Sequence, residues 1–373
     1  MVRVVLFAGV VFSHCVTTIN FTPGVLRSAG LISVLLHMTR YGFVAVTLFV
    51  LVLSMQGRHM TAGQFWRRRF GLVVAPYLVW TVTYNVTDHL LLANHPFTGI
   101  RQFLLDVGRT AVTGDAKYQL YFLLISMQIY LFFPLLSRFM ARTARHPWLV
   151  LFCALLVQVA AFAGYQYSSR PSFQPWAELY VHTWKFLPMY TLFVAIGMLA
   201  AQHREAVTSW LRAHVLSVGA VCVLGSALSI AAYLRATAPG VVPVLATTAW
   251  NPKYLPWFVG GFVLLWTVAM LWDEQRAKGR PVGRRIVSYA TVRAFGAFAV
   301  HPLILDVLGN CGFFGKLYEW FPDSTTKRTL VLTVTVLALS LVFIEIALRT
   351  PFSRWLVARD RMPMPRRPSA DRR

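Results

Sequence analysis

The apolar residues of this chain gather into long runs and do not alternate with polar residues. The runs are about 17 to 25 residues long, which as helices is enough to cross a hydrocarbon core roughly 30 Å thick. The pattern therefore predicts an all-α integral membrane protein, a polytopic bundle of about ten transmembrane helices. We place the spans near residues 2–20, 40–56, 70–92, 119–137, 147–165, 183–201, 212–234, 254–272, 288–308 and 329–348.

Composition and charge support this prediction. Hydrophobic residues make up 57% of the 373 positions and charged residues 13%, which argues against a water-soluble fold. Most of the 36 Lys and Arg residues behind the net charge of +23 fall in alternate loops. That distribution is typical of the positive-inside rule and of attraction to anionic membrane lipids, and it argues against nucleic acid as a partner. We therefore expect a multi-pass protein of the cell membrane with both termini in the cytoplasm.

Two segments at the ends of the chain need separate interpretation. The first apolar run has no extended basic region before it and contains His14, so we expect a retained helix and not a signal peptide. Residues 351–373 are rich in proline and arginine, which predicts a disordered cytoplasmic tail after a transmembrane domain at 1–350. No metal site or disulfide is predicted, because the cysteines show no paired spacing: Cys15, Cys153, Cys222 and Cys311.

Ionisable side chains at membrane depth are costly, so each is a functional candidate. His14 lies near the middle of the first span. Arg3 precedes it by eleven residues, and eleven steps of about 100° bring the two side chains onto one helix face. They suit a cavity with a cation at its mouth and a proton acceptor inside. The alternative is an interfacial anchor at Arg3 and a polar contact between helices at His14.

Two further groups are candidates on the same grounds. Arg67, Arg68 and Arg69 form the densest charge at any helix entrance and fit phosphate oxygens, although a simple topology signal is the alternative. His301 and Asp306 in the ninth span are candidates for one polar pocket, although five residues rotate about 140° around a helix. Three other ionisable residues are expected to be paired or close to an interface: Lys185, Arg293 and Glu345.

Four stretches of the chain together resemble membrane-bound acyltransferase family 3, whose members acylate sugars and other hydroxyl acceptors. The most specific is Arg3, ten intervening residues and His14 in the first span. The other three stretches are Phe65-Trp-Arg-Arg-Arg-Phe with Pro76-Tyr-Leu-Val-Trp80, Tyr118-Gln-Leu-Tyr-Phe-Leu with Gln128-Ile-Tyr-Leu-Phe-Phe-Pro134, and Ala297-Phe-Ala-Val-His301-Pro-Leu.

The chain departs from the family pattern at two places. Leu72 stands where a second arginine, three residues after Arg69, is expected, and Ser54-Met55 replaces a Ser-Gly pair.

The resemblance implies an O-acyltransferase that uses acyl-CoA, with acetyl-CoA expected, as a co-substrate and needs no bound cofactor. The phosphates of CoA are then held by Arg3 and by the cluster from Arg67 to Arg69. His14 acts as the general base for a hydroxyl of a carbohydrate or glycosylated acceptor, and Ser54 or Tyr121 donates to the developing oxyanion. Direct transfer is expected, because neighbouring Cys15 and His14 point about 100° apart and do not form a nucleophile pair.

Two other functions remain open from the sequence. A bundle of about ten helices with a few buried charges also describes a transporter or exporter of a polysaccharide or small molecule, although paired acidic residues are not evident in the spans. The third possibility is a non-catalytic scaffold or sensor. The sequence does not predict the acyl group, the acceptor or the oligomeric state.

Overall fold

The computed structural model describes residues 1–58, 60–92, 96–280 and 282–363, and these residues form helices and connecting loops with no β-strand. Short 3₁₀ turns occur at Thr183–Lys185, Leu187–Tyr190, Val244–Ala246 and Pro252–Tyr254. The α-helices are α1 (Val2–Ile19), α2 (Pro23–Leu36), α3 (Met38–Met55), α4 (Ala62–Leu91), α5 (Ile100–Thr113), α6 (Tyr121–Arg142), α7 (Pro147–Tyr167), α8 (Trp176–His182), α9 (Thr191–Gln202), α10 (Arg204–Ala213), α11 (Val215–Ala236), α12 (Leu255–Ala277), α13 (Arg284–Asn310), α14 (Phe313–Trp320), α15 (Thr325–Ala347) and α16 (Ser353–Val357).

Ten helical segments of the described chain are long and apolar enough to cross a membrane, which confirms the predicted all-α transmembrane fold. The second crossing begins earlier than expected. It comprises α2 and α3, which run from Pro23 to Met55 with a break at His37. The polar residues Arg27, His37 and Arg40 lower the mean hydropathy of this segment. For this reason α2 was not predicted as part of a membrane span.

The two faces of the bundle can be named from contacts at the ends of α1. Near the Met1 face, the terminal amine lies within electrostatic range of Asp273 and Arg276 at the end of α12. Near the opposite face, the carbonyl of Ile19 accepts a hydrogen bond from the Tyr318 hydroxyl at 2.5 Å. The end of α12 therefore lies at the same face as the start of α1, and Tyr318 lies at the same face as the end of α1. This arrangement is expected of a bundle whose successive long segments run antiparallel.

Besides α2 and α16, four helices were not predicted, and all four are too short to cross a membrane. The longest is α5, an amphipathic helix inside the connection that the sequence predicts between the third and fourth spans. Short amphipathic segments carry too little apolar length to be recognised by a search for spans. The other three are α8, which leads into α9, α10 between α9 and α11, and α14 between α13 and α15.

The segment after residue 350 is partly folded onto the bundle. In α16, Ser353 and Val357 are buried, and the carbonyl of Leu356 accepts a hydrogen bond from the indole of Trp80 at 2.9 Å. The expectation of disorder from residue 351 therefore does not hold for α16, because its apolar residues find partners on α4 and α13. Residues 364–373 of the predicted tail lie outside the described residues.

A proline inside α6 is accommodated by a side chain of a neighbouring helix. Pro134 has no N–H, so it leaves the carbonyl of Tyr130 without its usual helical donor. The indole of Trp66, near the start of α4, donates to that carbonyl at 3.1 Å. This hydrogen bond fixes the start of α4 against α6, and Arg69 of α4 lies within electrostatic range of Tyr130.

The helix α3 lies at the centre of the bundle and makes its closest backbone contact with α9. Gly197 of α9 faces the backbone of Ala45, and a Cβ at position 197 would lie only 2.2 Å from the Ala45 carbonyl oxygen. Small residues permit such contacts between membrane helices. The glycine is required here because any side chain would push α9 away from α3.

We expect Gly197→Ala to destabilise the protein by about 1–3 kcal/mol, the usual cost of overpacking a close contact. The matched control is Gly164→Ala in α7, where an added Cβ meets nothing within 4 Å. The measurement is the thermal unfolding midpoint of both variants in detergent. Equal midpoints for the two variants would contradict the close approach of α3 and α9.

Candidate active site

A polar cavity lies in the half of the bundle nearer the opposite face. Its volume is about 120 Å³, smaller than that of a typical small-molecule site, and it is open at its mouth. His14 of α1 lines it, and so do residues of α2, α3, α6, α13 and the connection before α6. The polar residues of its wall are Ser13, His14, Thr17, Ser33, His37, Thr39, Arg40, Tyr118, Gln119 and Tyr121.

Three rings meet at the wall of this cavity. The ring of His14 lies 4.2 Å from that of Tyr118 and stacks on that of His301, with 5.4 Å between ring centroids. No group in the described part of the chain forms a hydrogen bond with the His14 imidazole. Its position is therefore set by ring packing, which leaves its nitrogens available to a ligand.

His301 is fully buried in α13, and the proline after it determines which ring nitrogen carries the proton. Pro302 leaves the carbonyl of Phe298 without its helical N–H donor. The Nδ1 of His301 lies 2.9 Å from that carbonyl oxygen. Because a carbonyl only accepts, Nδ1 carries the proton and Nε2 is the free nitrogen. This buried Nε2 has no hydrogen-bond partner among the described residues.

The segment that carries Tyr118 is held by an ion triad. The ammonium of Lys117 lies 2.8 Å from Asp88 of α4 and 2.7 Å from Asp306 of α13. Burial lowers the pKa of Lys117, but its hydrogen bonds to the two carboxylates outweigh burial, so the pKa is raised and the side chain stays charged. The ion-pair partner of Asp306 is therefore Lys117, and through it Asp306 positions the neighbour of Tyr118.

Arginines without carboxylate partners gather near the Met1 face. Arg3 is exposed and lies within electrostatic range of Tyr130, Arg69 and Arg359. Within the described residues, neither Arg3 nor Arg69 has a carboxylate within 4.0 Å, and the Nε of Arg69 is buried without a hydrogen-bond partner. Such a cluster suits an anionic ligand, because its charges are not neutralised by the protein.

The other residues predicted near this entrance are distributed differently. Ser54 accepts a hydrogen bond of 2.7 Å from Arg69, so it lies near the Met1 face and does not line the cavity of His14. Arg67 and Arg68 are exposed on the surface of α4, and Arg68 lies within electrostatic range of Arg69. The structure thus brings together Arg3 and Arg69 but separates Ser54 from His14. The cause is that Ser54 ends α3, whereas the cavity lies beside the start of that helix.

Four phenylalanine rings separate the arginine cluster from the cavity. Phe7 of α1 contacts Phe43 and Phe298, with ring centroids 4.4 and 5.4 Å apart. Phe122 contacts Phe43 at 5.3 Å and Phe298 at 6.1 Å. These rings, which we call the phenylalanine layer, form an apolar barrier between Arg3 and His14, about 16 Å apart along α1.

Most polar residues of the cavity were missed by sequence reasoning, Arg40 and Gln119 among them. Arg40 lies in the first turn of α3, and its guanidinium lies over the rings of Tyr121 and Trp184, 4.9 and 5.2 Å from the centroids. Gln119 donates to the carbonyl of Ala299 at 3.3 Å. The signal for Arg40 was its charge at the start of a predicted span, where a basic residue is also typical of the membrane interface.

The ionisable residues predicted to be paired are paired. Lys185 forms an ion pair with Asp115, and Glu345 binds both Arg293 and Arg349 at 2.5 Å. These groups therefore have structural partners and do not need a ligand. In the residues that the structure describes, no group of three or more His, Cys, Asp or Glu side chains is arranged to hold a metal ion.

Comparison with known proteins places the chain in a family. No curated protein and no solved structure gives a significant match. A family model described as an acyltransferase domain matches residues 1–347, which is nearly the whole transmembrane bundle and includes both Arg3 and His14. The chain therefore belongs to acyltransferase family 3 and is a multi-pass membrane acyltransferase.

Proposed function

We propose that this protein transfers an acyl group, with acetyl as the expected one, from acyl-CoA to a hydroxyl of a carbohydrate or glycosylated acceptor. The observation that carries the proposal is the arrangement of α1. This single helix bears Arg3 in an unpaired arginine cluster and His14 in a polar cavity on the other side of the phenylalanine layer. The reaction needs a cation that binds the phosphates of acyl-CoA and a base that accepts the proton of the acceptor hydroxyl.

The two substrates approach from different faces in this proposal. The Met1 face is cytoplasmic, because basic residues concentrate there, and acyl-CoA binds with its phosphates at Arg3 and Arg69. The acceptor enters the cavity past Thr17, which is exposed at the other end of α1. The protein then lies in the cell membrane. The thioester reaches His14 only when a ring of the phenylalanine layer moves aside.

The chemistry at His14 is a direct transfer. A ring nitrogen of His14 takes the proton of the acceptor hydroxyl as that oxygen attacks the thioester carbonyl. The hydroxyl of Tyr121, which lines the same cavity, donates to the oxyanion of the tetrahedral intermediate. The intermediate collapses with cleavage of the carbon–sulfur bond, and the proton on His14 leaves with the CoA thiolate. The products are the ester and free CoA.

Transport by the same bundle has less support. Carriers that couple to protons or cations need carboxylates that are free to bind them. Among the described residues no Asp or Glu lines the cavity, and the carboxylates of Asp88, Asp306 and Glu345 are held in ion pairs. The cavity therefore favours a reaction at a histidine over passage of a cation.

Removing one arginine of the cluster should weaken acyl-CoA binding. We expect Arg3→Gln and Arg69→Gln each to raise the dissociation constant of acetyl-CoA by roughly 10- to 100-fold, the usual value of a charge-assisted hydrogen bond. Binding is measured by titration calorimetry with purified protein in nanodiscs. Further titrations of Arg67→Gln and Arg68→Gln test whether the exposed arginines also contribute.

The matched control for these variants is Arg142→Gln, an exposed arginine at the end of α6. It changes the net charge equally and should leave the dissociation constant nearly unchanged. An equal loss of affinity in Arg142→Gln would mean that net charge, and not a site at Arg3 and Arg69, attracts CoA. Wild-type protein that is folded but binds no acetyl-CoA would refute the proposed donor.

A further inference from the structure

Arg40 is a cation held at membrane depth without an anionic partner. Its Nη1 is buried and has no hydrogen-bond partner, and no carboxylate among the described residues lies within 4.0 Å of its guanidinium. The neighbours that stabilise it are the faces of Tyr121 and Trp184 and the hydroxyl of Tyr190. Aromatic faces attract a cation but do not neutralise it.

Three other buried cations of the bundle have carboxylate or carbonyl partners. Lys117 has two carboxylates and Lys185 has Asp115. Arg328 donates to two backbone carbonyls at 2.6 Å. A buried charge without such partners is strongly unfavourable. Arg40 lacks such partners, and it lines the cavity. A ligand bound in the cavity can therefore supply the missing anion.

The rest of the cavity wall suits an anion that also carries hydroxyl groups. The part of the chain that the structure describes places no Asp or Glu in the wall to repel a negative charge. The Nε2 of His37 donates to the carbonyl of Thr247 at 2.9 Å, which leaves its Nδ1 as an acceptor. The hydroxyls of Ser13 and Ser33 line the wall without a hydrogen bond to any described residue. Hydroxyl groups of a ligand can therefore find both donors and acceptors.

We propose that the cavity binds a ligand with a negatively charged group, expected to be a carboxylate, which pairs with Arg40 while a hydroxyl of the acceptor lies at His14. The inference rests on the proposed function, because it defines the class of substrate for that reaction. The charge has two chemical sources. It belongs either to the acceptor, as in a sugar acid, or to the acyl group, as in a dicarboxylic acyl-CoA. In both cases the ligand's charge replaces the partner that the protein does not provide.

The first arm of the test compares two sugars that differ in one group. Methyl β-D-glucuronide and methyl β-D-glucoside are titrated into wild-type protein in nanodiscs. If the acceptor supplies the charge, the glucuronide binds about 10- to 100-fold more tightly, as a charge-assisted hydrogen bond predicts. The preference disappears in Arg40→Gln and is partly kept in Arg40→Lys. It is unchanged in Arg235→Gln, the control, which removes an exposed arginine at the end of α11.

The second arm compares hydrolysis of succinyl-CoA and acetyl-CoA. If the acyl group supplies the charge, wild-type protein prefers succinyl-CoA in kcat/KM by a similar factor, and Arg40→Gln removes the preference. The comparison of wild type with paired ligands decides the question even where Arg40→Gln fails to fold. No preference in either arm would overturn the inference and leave the proposed function standing. Arg40-dependent glucuronide binding by a protein that binds no acyl-CoA would support the anion site and reject the transferase.

Discussion

The variant His14→Gln is expected to lower the turnover of acetyl-CoA by about 10²- to 10⁴-fold, the range found when a general base is removed. Glutamine has a similar size and keeps polar contact with the cavity, but it does not accept a proton near neutral pH. The dissociation constant of acetyl-CoA should stay within about two-fold, because the phosphates bind at the Met1 face, about 16 Å away along α1. Turnover is measured as release of CoA, separated by chromatography, with water or methyl β-D-glucuronide as the acceptor.

The matched control is His146→Gln, which changes an exposed histidine at the start of α7. It should leave both turnover and acetyl-CoA affinity unchanged. If His14→Gln released CoA at the wild-type rate, His14 would not be the base. His301, whose free Nε2 lies in the neighbouring ring, would then be the next candidate.

The variant Lys117→Met is expected to destabilise the protein by about 3 kcal/mol, near the lower end of the cost of breaking a buried ion pair. The side chain of Lys117 is only 9% exposed, and those of Asp88 and Asp306 are 21% and 18% exposed. Methionine fills similar space but leaves two carboxylates without a counterion. The loss is measured as a lower midpoint of thermal unfolding in detergent, and turnover also falls because Tyr118 follows Lys117 directly.

Two further variants separate the ion triad from a general effect of losing a lysine. Lys316→Met removes an ion pair of similar length with Glu319, but both side chains are more than half exposed, so the midpoint should hardly change. The triple variant Lys117→Met, Asp88→Asn, Asp306→Asn removes the uncompensated charge and should recover much of the loss. A triple variant less stable than Lys117→Met would show that the carboxylates act through other partners.

Several features follow from local sequence rules and are confirmed by the structure. The all-α fold and the number of spans follow from the length of the apolar runs, because the thickness of a bilayer sets the length of a crossing helix. Membership of the acyltransferase family was predicted from Arg3 and His14 and three further motifs, and the family match confirms it.

The roles of individual site residues were less accessible from the sequence. Hydropathy shows where a helix crosses but not how far it is rotated or which helix it faces. Asp306 appeared next to His301 along the chain, yet its partner is Lys117, 189 residues earlier. Ser54 was expected to donate to the oxyanion at His14, but it lies in the last turn of its helix near the Met1 face, beside Arg69. Arg40 attracted no prediction, because its aromatic neighbours come from α6 and the segment before α9.

The membrane bundle, the family and the placement of Arg3 and His14 on one helix follow from the sequence, because each depends on short stretches of the chain. What surrounds these two residues was set by the tertiary structure. It packed His14 against Tyr118 and His301, placed the phenylalanine layer beneath them, and left Arg40 without an anion in the same cavity. These contacts join residues up to nearly 300 positions apart, and no local pattern of polarity specifies which helices will meet.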